Sequence, residues 1–267
     1  MIETGGKPYI VRVSSQKGGV GKTTVAVNLA TSLALMGYKT LLYDTDFSNP
    51  SVGFHLGLED ANIGIQSVLT KKTRLQNAIV THDPSGMHVL PCELSTKMSA
   101  ATSEQINTLK SEIIKEYYDF VIGDTPPGVI SSEISSLYDE ALILTTPDLP
   151  AMQSVLKLSA KYDRMHIPHS LIVNRVKHKN YELTLKDIEG AYEKKAAAVL
   201  PESEMVPTSI AKHIPVVLLD GKCTFSKEIT PLSEQYAYKT EKKAFKRNGF
   251  RRYGFLKTLI RLITGRY

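Results

Sequence analysis

The sequence predicts one doubly wound α/β domain with a mostly parallel β-sheet, followed by a C-terminal amphipathic helix. Two observations predict this fold. Short apolar runs rich in β-branched residues alternate along the chain with longer segments in which apolar residues recur at helical spacing. Near the N-terminus, a strand, a glycine-rich loop, a helix and a second strand follow one another. That order is the βαβ unit of a parallel sheet with a right-handed crossover.

The first βαβ unit is the clearest part of the pattern. The run YIVRVSS is short, apolar and β-branched, so it predicts the first strand. TTVAVNLATSLALMGYKT carries apolar residues at helical spacing and predicts the first helix, with Gly37 as its C-terminal stop. TLLYDTD is the next strand, and its apolar residues indicate that it is buried.

The same alternation continues along the rest of the domain. Strands are predicted at GMHVLP, YDFVIGDTPP, EALILTTP and SLIVNRV, and AAAVLP predicts a short strand at the sheet edge. Helices are predicted over residues 104–116, 149–163 and 181–191, and a long final helix begins near Phe225. No internal repeat or low-complexity linker interrupts this order. We therefore predict one domain over residues 1–240 and a basic tail over residues 241–267.

Composition excludes several classes of protein. The chain has 267 residues, of which 42% are hydrophobic and 22% charged, as in an ordinary globular domain. It contains no apolar run of the length that a membrane-spanning helix needs, and its N-terminus lacks the pattern of a secretory signal. Cys92 and Cys223 are far apart and form no metal-binding spacing. These features predict a cytoplasmic, reduced protein.

The positive charge of the chain is concentrated in the tail. The formal net charge is +6, but the segment from Lys239 onward holds ten Lys/Arg residues and one acid, Glu241. The rest of the chain is therefore slightly acidic. A basic tail indicates contact with nucleic acid or with an anionic membrane surface, and a solvated helix end is the alternative.

The loop after the first strand, SSQKGGVGKTT at residues 14–24, predicts phosphate binding. The usual pattern is glycine, four residues, then glycine, lysine and serine or threonine. Gly21, Lys22 and Thr23 supply the second half, whereas Gln16 stands at the position of the first glycine and Lys17 follows it. Glycine N–H groups and the helix N-terminus favour a bound anion. A flexible glycine turn is the alternative, and the strand and helix on either side argue against it.

The stretch KGGVGKTT resembles the deviant phosphate loop of the MinD/ParA family of ATPases. The resemblance implies P-loop NTPase architecture of the SIMIBI type, with ATP and Mg²⁺ as ligands. It also implies that Lys17 reaches the phosphates of a second copy in an ATP-dependent homodimer, while Lys22 binds the β- and γ-phosphates and the Thr23 hydroxyl ligates Mg²⁺. The residues predicted to bind nucleotide in this loop are Lys17, Gly18, Gly19, Val20, Gly21, Lys22, Thr23 and Thr24.

Three carboxylates follow strand ends in the order of that family. Asp44 and Asp46 lie on one side of the second strand, and Asp124 ends the strand YYDFVIGD. By resemblance, Asp46 orients the attacking water, Asp44 supports the waters around Mg²⁺, and Asp124 holds Mg²⁺ through water. The stretch DTPPG then resembles the second switch of the family. Ordinary loop carboxylates are the alternative for each position taken alone.

Two later segments resemble the base-binding part of the family. Asn174 and Arg175 end the strand LIVNRV, where the family recognises the adenine edge. Pro207, in VPTSIAKHIPVV, resembles a residue that packs on the base. A purely structural proline is the alternative for Pro207.

The last residues predict a helix that lies in the plane of a membrane. At 100° per residue, six apolar side chains fall within an arc of about 160°, and two cations lie opposite. A single such tail binds reversibly, because each nearby cation contributes only about 1 kcal/mol, whereas two tails in one dimer bind more tightly. A terminal helix docked on its own domain is the alternative. The predicted membrane residues are Phe255, Leu256, Lys257, Leu259, Ile260, Arg261, Leu262 and Ile263.

Together these patterns predict an ATPase that cycles on and off the inner face of the membrane and positions other proteins. The predicted partners are a second copy, an anionic membrane surface and an unidentified protein that stimulates hydrolysis. The alternatives are a ParA-like DNA-partitioning ATPase with its tail on DNA, which we disfavour, and a regulator of flagellar number. An iron–sulfur carrier lacks its paired cysteines here, and the late tyrosines are too sparse for a bacterial tyrosine kinase.

Overall fold

A computed structural model describes residues 7–96, 98–128 and 138–248, with side chains described as far as residue 240. The strands form one eight-stranded sheet in the order β3-β4-β2-β5-β1-β6-β7-β8. Every neighbouring pair is parallel except β3 and β4, so the predicted doubly wound, mostly parallel sheet is confirmed. The strands are β1 (Tyr9–Ser14), β2 (Thr40–Asp44), β3 (Val80–His82), β4 (Met87–Leu90), β5 (Phe120–Asp124), β6 (Glu140–Thr145), β7 (His169–Val176) and β8 (Ala198–Pro201).

Helices cover both faces of the sheet. Within the described ranges they are α1 (Lys22–Leu35), α2 (Val52–Leu56), α3 (Ile65–Leu69), α4 (Leu75–Ala78), α5 (Ser103–Lys115), α6 (Leu149–Arg164), α7 (Leu185–Tyr192), α8 (Met205–Ala211), α9 (Val216–Leu219) and α10 (Thr224–Asn248). No helix among the described residues combines the length and the apolar character needed to cross a bilayer. The tail residues beyond 248, including the predicted amphipathic arc, lie outside the described residues.

Successive side chains of β1 lie on opposite faces of the sheet. Val11 and Val13 join the core that contains α1 and α10, whereas Ile10 joins the core that contains α3, α4 and α5. Helix α1 is buried almost all round, because it packs against the sheet on one side and against α10, α2 and α9 on the others. These contacts hold α1, which begins at the phosphate loop, in a fixed position.

The predicted elements are present, with differences at their ends. The helix predicted over residues 181–191 begins instead at Leu185, because the Thr184 hydroxyl caps it by accepting the N–H of Asp187. Before that cap, the Glu182 carboxylate accepts the N–H groups of Lys177 and Lys179, which holds the segment as a loop. The predicted edge strand at AAAVLP is confirmed as β8.

The register of the central strands brings the phosphate loop and the carboxylates together. Asp44 of β2 pairs in register with Asp124 of β5, and Asp124 pairs with Val13 of β1. The carboxyl ends of these three neighbouring strands therefore meet at one edge of the sheet, which is where doubly wound folds bind their ligands.

Candidate functional site

The phosphate loop leaves β1 and ends at the first residue of α1. Gly21 has φ 90°, in the left-handed region. It is the N-cap residue of α1, and no side chain caps the N–H groups of the first helical turn. A Cβ at Gly21 would lie 2.4 Å from Nδ2 of Asn174. That side chain donates to the carbonyl of Val20 at 2.7 Å, so Asn174 fixes the loop from the end of β7. The uncapped N–H groups at this helix start suit an anion.

A cavity of about 570 Å³ lies over this loop. Ten of the predicted site residues line it: Gly18, Gly19, Gly21, Lys22, Thr23, Thr24, Asp46, Asn174, Arg175 and Pro207. Its lining also includes three apolar residues that the sequence analysis did not name, Val206, Ile210 and Phe225. A cavity with both cationic and apolar lining residues suits a ligand with phosphates and a flat base.

Thr23 and Asp124 form the oxygen-rich part of the site. The Thr23 hydroxyl donates to Oδ2 of Asp124 at 2.6 Å. The other carboxylate oxygen of Asp124, Oδ1, is buried and has no hydrogen-bond partner among the described residues. Burial, together with the charge of Asp44, raises the pKa of Asp124 to about 7. Hydroxyl and carboxylate oxygens are the ligands that Mg²⁺ prefers, and a buried unpaired oxygen calls for a cation or water, so these residues fit Mg²⁺.

Asp44 anchors the loop that carries Asp46. Its Oδ1 accepts the N–H of Asp46 at 2.9 Å, and its Oδ2 accepts the N–H groups of Ser51 at 2.9 Å and Val52 at 3.1 Å. Burial raises the pKa of Asp44 to about 6 although these three donors act in the opposite direction. The predicted support of Mg²⁺ waters by Asp44 stays a prediction, and the structure adds this anchoring role.

Asp46 lies where the anchored loop meets the cavity. Its side chain is partly exposed, and its Oδ1 accepts the N–H of Asn49 at 3.1 Å. Asn49 and Ser51 of the same loop also line the cavity. A carboxylate on a loop that borders the phosphate end can hold a water or take up a proton there.

Lys17 lies outside the lining of the cavity in its own chain. Its Nζ lies 3.9 Å from Oδ1 of Asp148. Asp148 caps α6 by accepting the N–H of Ala151 at 2.8 Å. The predicted reach of Lys17 into a second copy stays a prediction.

Arg175 joins the phosphate loop to the end of β8. Its guanidinium donates to both carboxylate oxygens of Glu202, at 2.8 and 3.1 Å, and to the carbonyl of Gly19 at 3.0 Å. The Arg175 hydrogen bond lowers the pKa of Glu202. Sequence reasoning missed Glu202, although its place directly after a strand end was a usable signal. Arg175 thus serves as a tie between two walls of the cavity, and its predicted contact with adenine stays a prediction.

A family model and a known protein each match more than half of the chain. A family model described as an AAA domain matches residues 9–171. The septum site-determining protein MinD of Thermotoga maritima is 31% identical over 242 residues, which are 85% of this chain and 87% of that protein.

Two solved structures share the fold along nearly their whole length. The septum site-determining protein MinD of Pyrococcus horikoshii, complexed with Mg-ADP, superposes with a TM-score of 0.78 at 25% identity and covers 85% of this chain and 95% of its own. The MinC:MinD cell division protein complex of Aquifex aeolicus contains a chain with a TM-score of 0.78 at 25% identity, covering 86% and 96%.

Proposed function

The chain belongs to the MinD/ParA family of P-loop ATPases, and from this membership we propose that it is an ATP-driven switch that positions other proteins at the membrane. ATP hydrolysis and the use of Mg²⁺ are properties of that family. The proposal adds that ATP makes a homodimer, that the dimer binds the inner face of the cell membrane, and that hydrolysis releases it. One observation carries the proposal: the phosphate loop includes Lys17, whose ammonium pairs with Asp148 and which does not line the cavity of its own chain.

The residues of the site divide the chemistry of hydrolysis between them. Lys22, at the first position of α1, is largely buried beside the loop and is suited to the charge of the β- and γ-phosphates. Thr23 and Asp124 would hold Mg²⁺, with Asp124 acting through water. When bound, Mg²⁺ neutralises charge on the phosphoryl group that is transferred. Asp46 lines the cavity, which supports its role in orienting the attacking water.

The position of Lys17 supports the proposed dimerisation. Charge that spreads over the γ-phosphate during transfer needs cations around it, and a second lysine supplied by another copy would provide one. Within its own chain Lys17 contacts only an exposed carboxylate, Asp148, among the described ion pairs. Such a pair is weak in water, so it can be exchanged for a phosphate contact without large cost.

Membrane binding rests on the tail and on the helix that leads to it. Helix α10 runs from the cavity wall at Phe225 into the basic segment that precedes the apolar arc of residues 255–263. Because one short amphipathic helix binds weakly, two helices on one ATP-bound dimer would bind far better through effective concentration. We propose a cytoplasmic protein that is peripheral at the inner face of the membrane.

A protein partner completes the proposed cycle. The Aquifex aeolicus relative is solved as a MinC:MinD cell division protein complex, so a related chain of this fold acts together with a second protein. We propose that this chain likewise works through a second protein, including one that stimulates hydrolysis. The object that is positioned, whether a division site or another polar structure, follows from that partner.

Vesicle sedimentation tests the proposal. The full chain should pellet with anionic vesicles in ATP and stay in the supernatant in ADP, and a chain that ends at Thr240 should not pellet in either nucleotide. Equal pelleting in every condition would contradict the cycle.

The tail charge also favours a second candidate function, DNA partitioning. Binding to DNA would fall steeply with salt and would not need the apolar arc. Leu259→Glu separates the two candidates, because it should abolish binding to vesicles and leave binding to DNA phosphates nearly unchanged. Full vesicle binding by Leu259→Glu, together with DNA binding that is lost in a chain ending at Thr240, would reverse our preference.

A further inference from the structure

A cationic turn connects α3 and α4 on the sheet face opposite α1. It consists of Lys71, Lys72 and Arg74, all with exposed side chains. The three cations line a shallow depression of about 730 Å³. Among the described residues that line it, Glu112 of α5 is the one carboxylate, so cations predominate.

The backbone of the cationic turn is ordered by its own hydrogen bonds. The N–H of Lys71 donates to the carbonyl of Val68 at 3.0 Å, and the N–H of Lys72 donates to that of Ser67 at 2.9 Å. Within the described part of the chain, none of the three cationic side chains takes part in an ion pair. Three like charges fixed close together repel one another, so their side chains gain from an anionic partner outside the domain.

One side of the depression borders the edge formed by the amino ends of the strands. Gln76, which lines the depression, donates to the carboxylate of Glu116 at the end of α5. The carbonyl of Glu116 in turn accepts the ammonium of Lys39, and the N–H of Lys39 donates to Asp119 at 2.8 Å. Lys39 and Asp119 directly precede the amino ends of β2 and β5.

The root of the tail lies at the same edge. Lys239, near the end of the described part of α10, donates to Oε2 of Glu140 at 2.8 Å. Glu140 is the first residue of β6 and also accepts the hydroxyl of Tyr9, the first residue of β1, at 2.8 Å. The nucleotide cavity lies at the opposite edge, at the carboxyl ends of the strands.

We propose that the cationic turn is a second contact with anionic lipid headgroups, used together with the tail. This inference rests on the proposed membrane function. The turn and the tail root lie at the same edge of the domain, so one planar surface can contact both at the same time. A lipid surface therefore fits better than nucleic acid. The apolar arc of the tail also has no counterpart on a phosphate backbone. The cationic turn would fix the orientation of the domain on the surface, with the nucleotide cavity turned away from it.

The test replaces the cations of the turn in the full chain. The triple variant Lys71→Gln, Lys72→Gln, Arg74→Gln should bind vesicles of equal parts phosphatidylglycerol and phosphatidylcholine, in ATP and low salt, up to on the order of a hundredfold more weakly. Each cation near an anionic surface contributes roughly fivefold. The matched control Lys212→Gln, Lys222→Gln, Lys227→Gln removes three exposed cations at the nucleotide end of the domain, and its affinity should change less than about threefold.

Each result of this experiment decides one claim. Vesicle binding of the turn variant equal to that of the unmodified chain, while Leu259→Glu loses binding, would overturn the second contact and leave the proposed function intact. Equal losses in the turn variant and the control would also overturn it, because net charge alone would then explain the effect. A turn variant that loses binding to double-stranded DNA and keeps vesicle binding would assign the turn to nucleic acid. Full vesicle binding by Leu259→Glu would instead remove the proposed function on which the inference rests.

Discussion

Lys17 of the phosphate loop and Asp148, the residue that caps α6, form an ion pair with Nζ 3.9 Å from Oδ1. Both side chains are nearly half exposed, so their attraction is weak and is screened by salt. Asp148 is at the same time the cap of α6. The contact therefore connects a residue proposed to act in a second copy with a helix of its own chain.

Asp148→Asn should favour the dimer. Asparagine still caps α6 through its side-chain oxygen, but it no longer attracts the ammonium of Lys17, which is then freer to meet a phosphate. In ATP and low salt, we expect the dimer dissociation constant to fall by about two- to fivefold. Analytical ultracentrifugation measures it, and the difference should disappear at high salt. A dimer that is unchanged or weaker at low salt would refute the idea that this contact restrains Lys17.

Asp124→Asn should make the nucleotide-free protein more stable near neutral pH and abolish ATP hydrolysis. Burial and the neighbouring charge raise the pKa values of Asp44 and Asp124 to about 6 and about 7, well above the ordinary value. The folded state therefore binds more protons than the unfolded state between about pH 4 and pH 7, and this pair makes the nucleotide-free protein less stable as pH rises. The variant removes one of the two charges and should lose ATP hydrolysis.

Thermal unfolding without Mg²⁺ measures this effect. We expect the variant to gain on the order of a few degrees over the unmodified chain at pH 7.5, and less at pH 5. The comparison between the two chains cancels the histidines, whose pKa values burial lowers and whose effect on stability has the opposite sign. A variant that is less stable at pH 7.5 than at pH 5, relative to the unmodified chain, would contradict the assigned repulsion.

The sequence alone points to the residues at the phosphate end of the cavity because the signals for them are local. Loop spacing singled out Lys22 and Thr23, and the strand ends together with the resemblance to the family singled out Asp44 and Asp124. The registers of β2 and β5 place Asp44 and Asp124 side by side.

The rest of the cavity could not be predicted from the sequence, because contacts between segments distant in the chain bring its residues together. Phe225 reaches the cavity wall only because α10 packs along α1, and Arg175 meets Glu202 only because β7 and β8 pair with a shift in register. β3 has three residues, too few to show a periodic pattern. The short helices α2, α3, α4 and α9 are likewise too short for a helical period to be read from sequence.

Gly21→Ala should abolish nucleotide binding. Alanine at φ 90° is strained, and its Cβ would meet the amide nitrogen of Asn174 at 2.4 Å, which displaces the side chain that holds the loop. Isothermal titration with ATP and Mg²⁺ should detect no binding. Gly190→Ala is the matched control, since this helical glycine has open space around its Cβ position and should bind ATP normally with slightly higher stability. Normal binding by Gly21→Ala would show that the loop does not need the left-handed conformation.

Arg175→Lys should raise the KM for ATP and leave kcat nearly unchanged. Lysine cannot bond both oxygens of Glu202 and the Gly19 carbonyl at once, so the loop and the β8 end lose their tie before the nucleotide binds. Loss of one such hydrogen bond predicts an increase in KM of about three- to tenfold.

Glu202→Gln should also raise the KM for ATP. The double variant should be less impaired than the product of the two single effects, since both changes break the same connection. Glu189→Gln is the matched control, because it weakens the pair between Glu189 of α7 and Lys195, neither of which lines the cavity, and should leave KM unchanged. Strictly multiplicative effects, or a fall in kcat at constant KM, would mean that Arg175 acts on the reacting phosphates directly and not as a tie between the two walls.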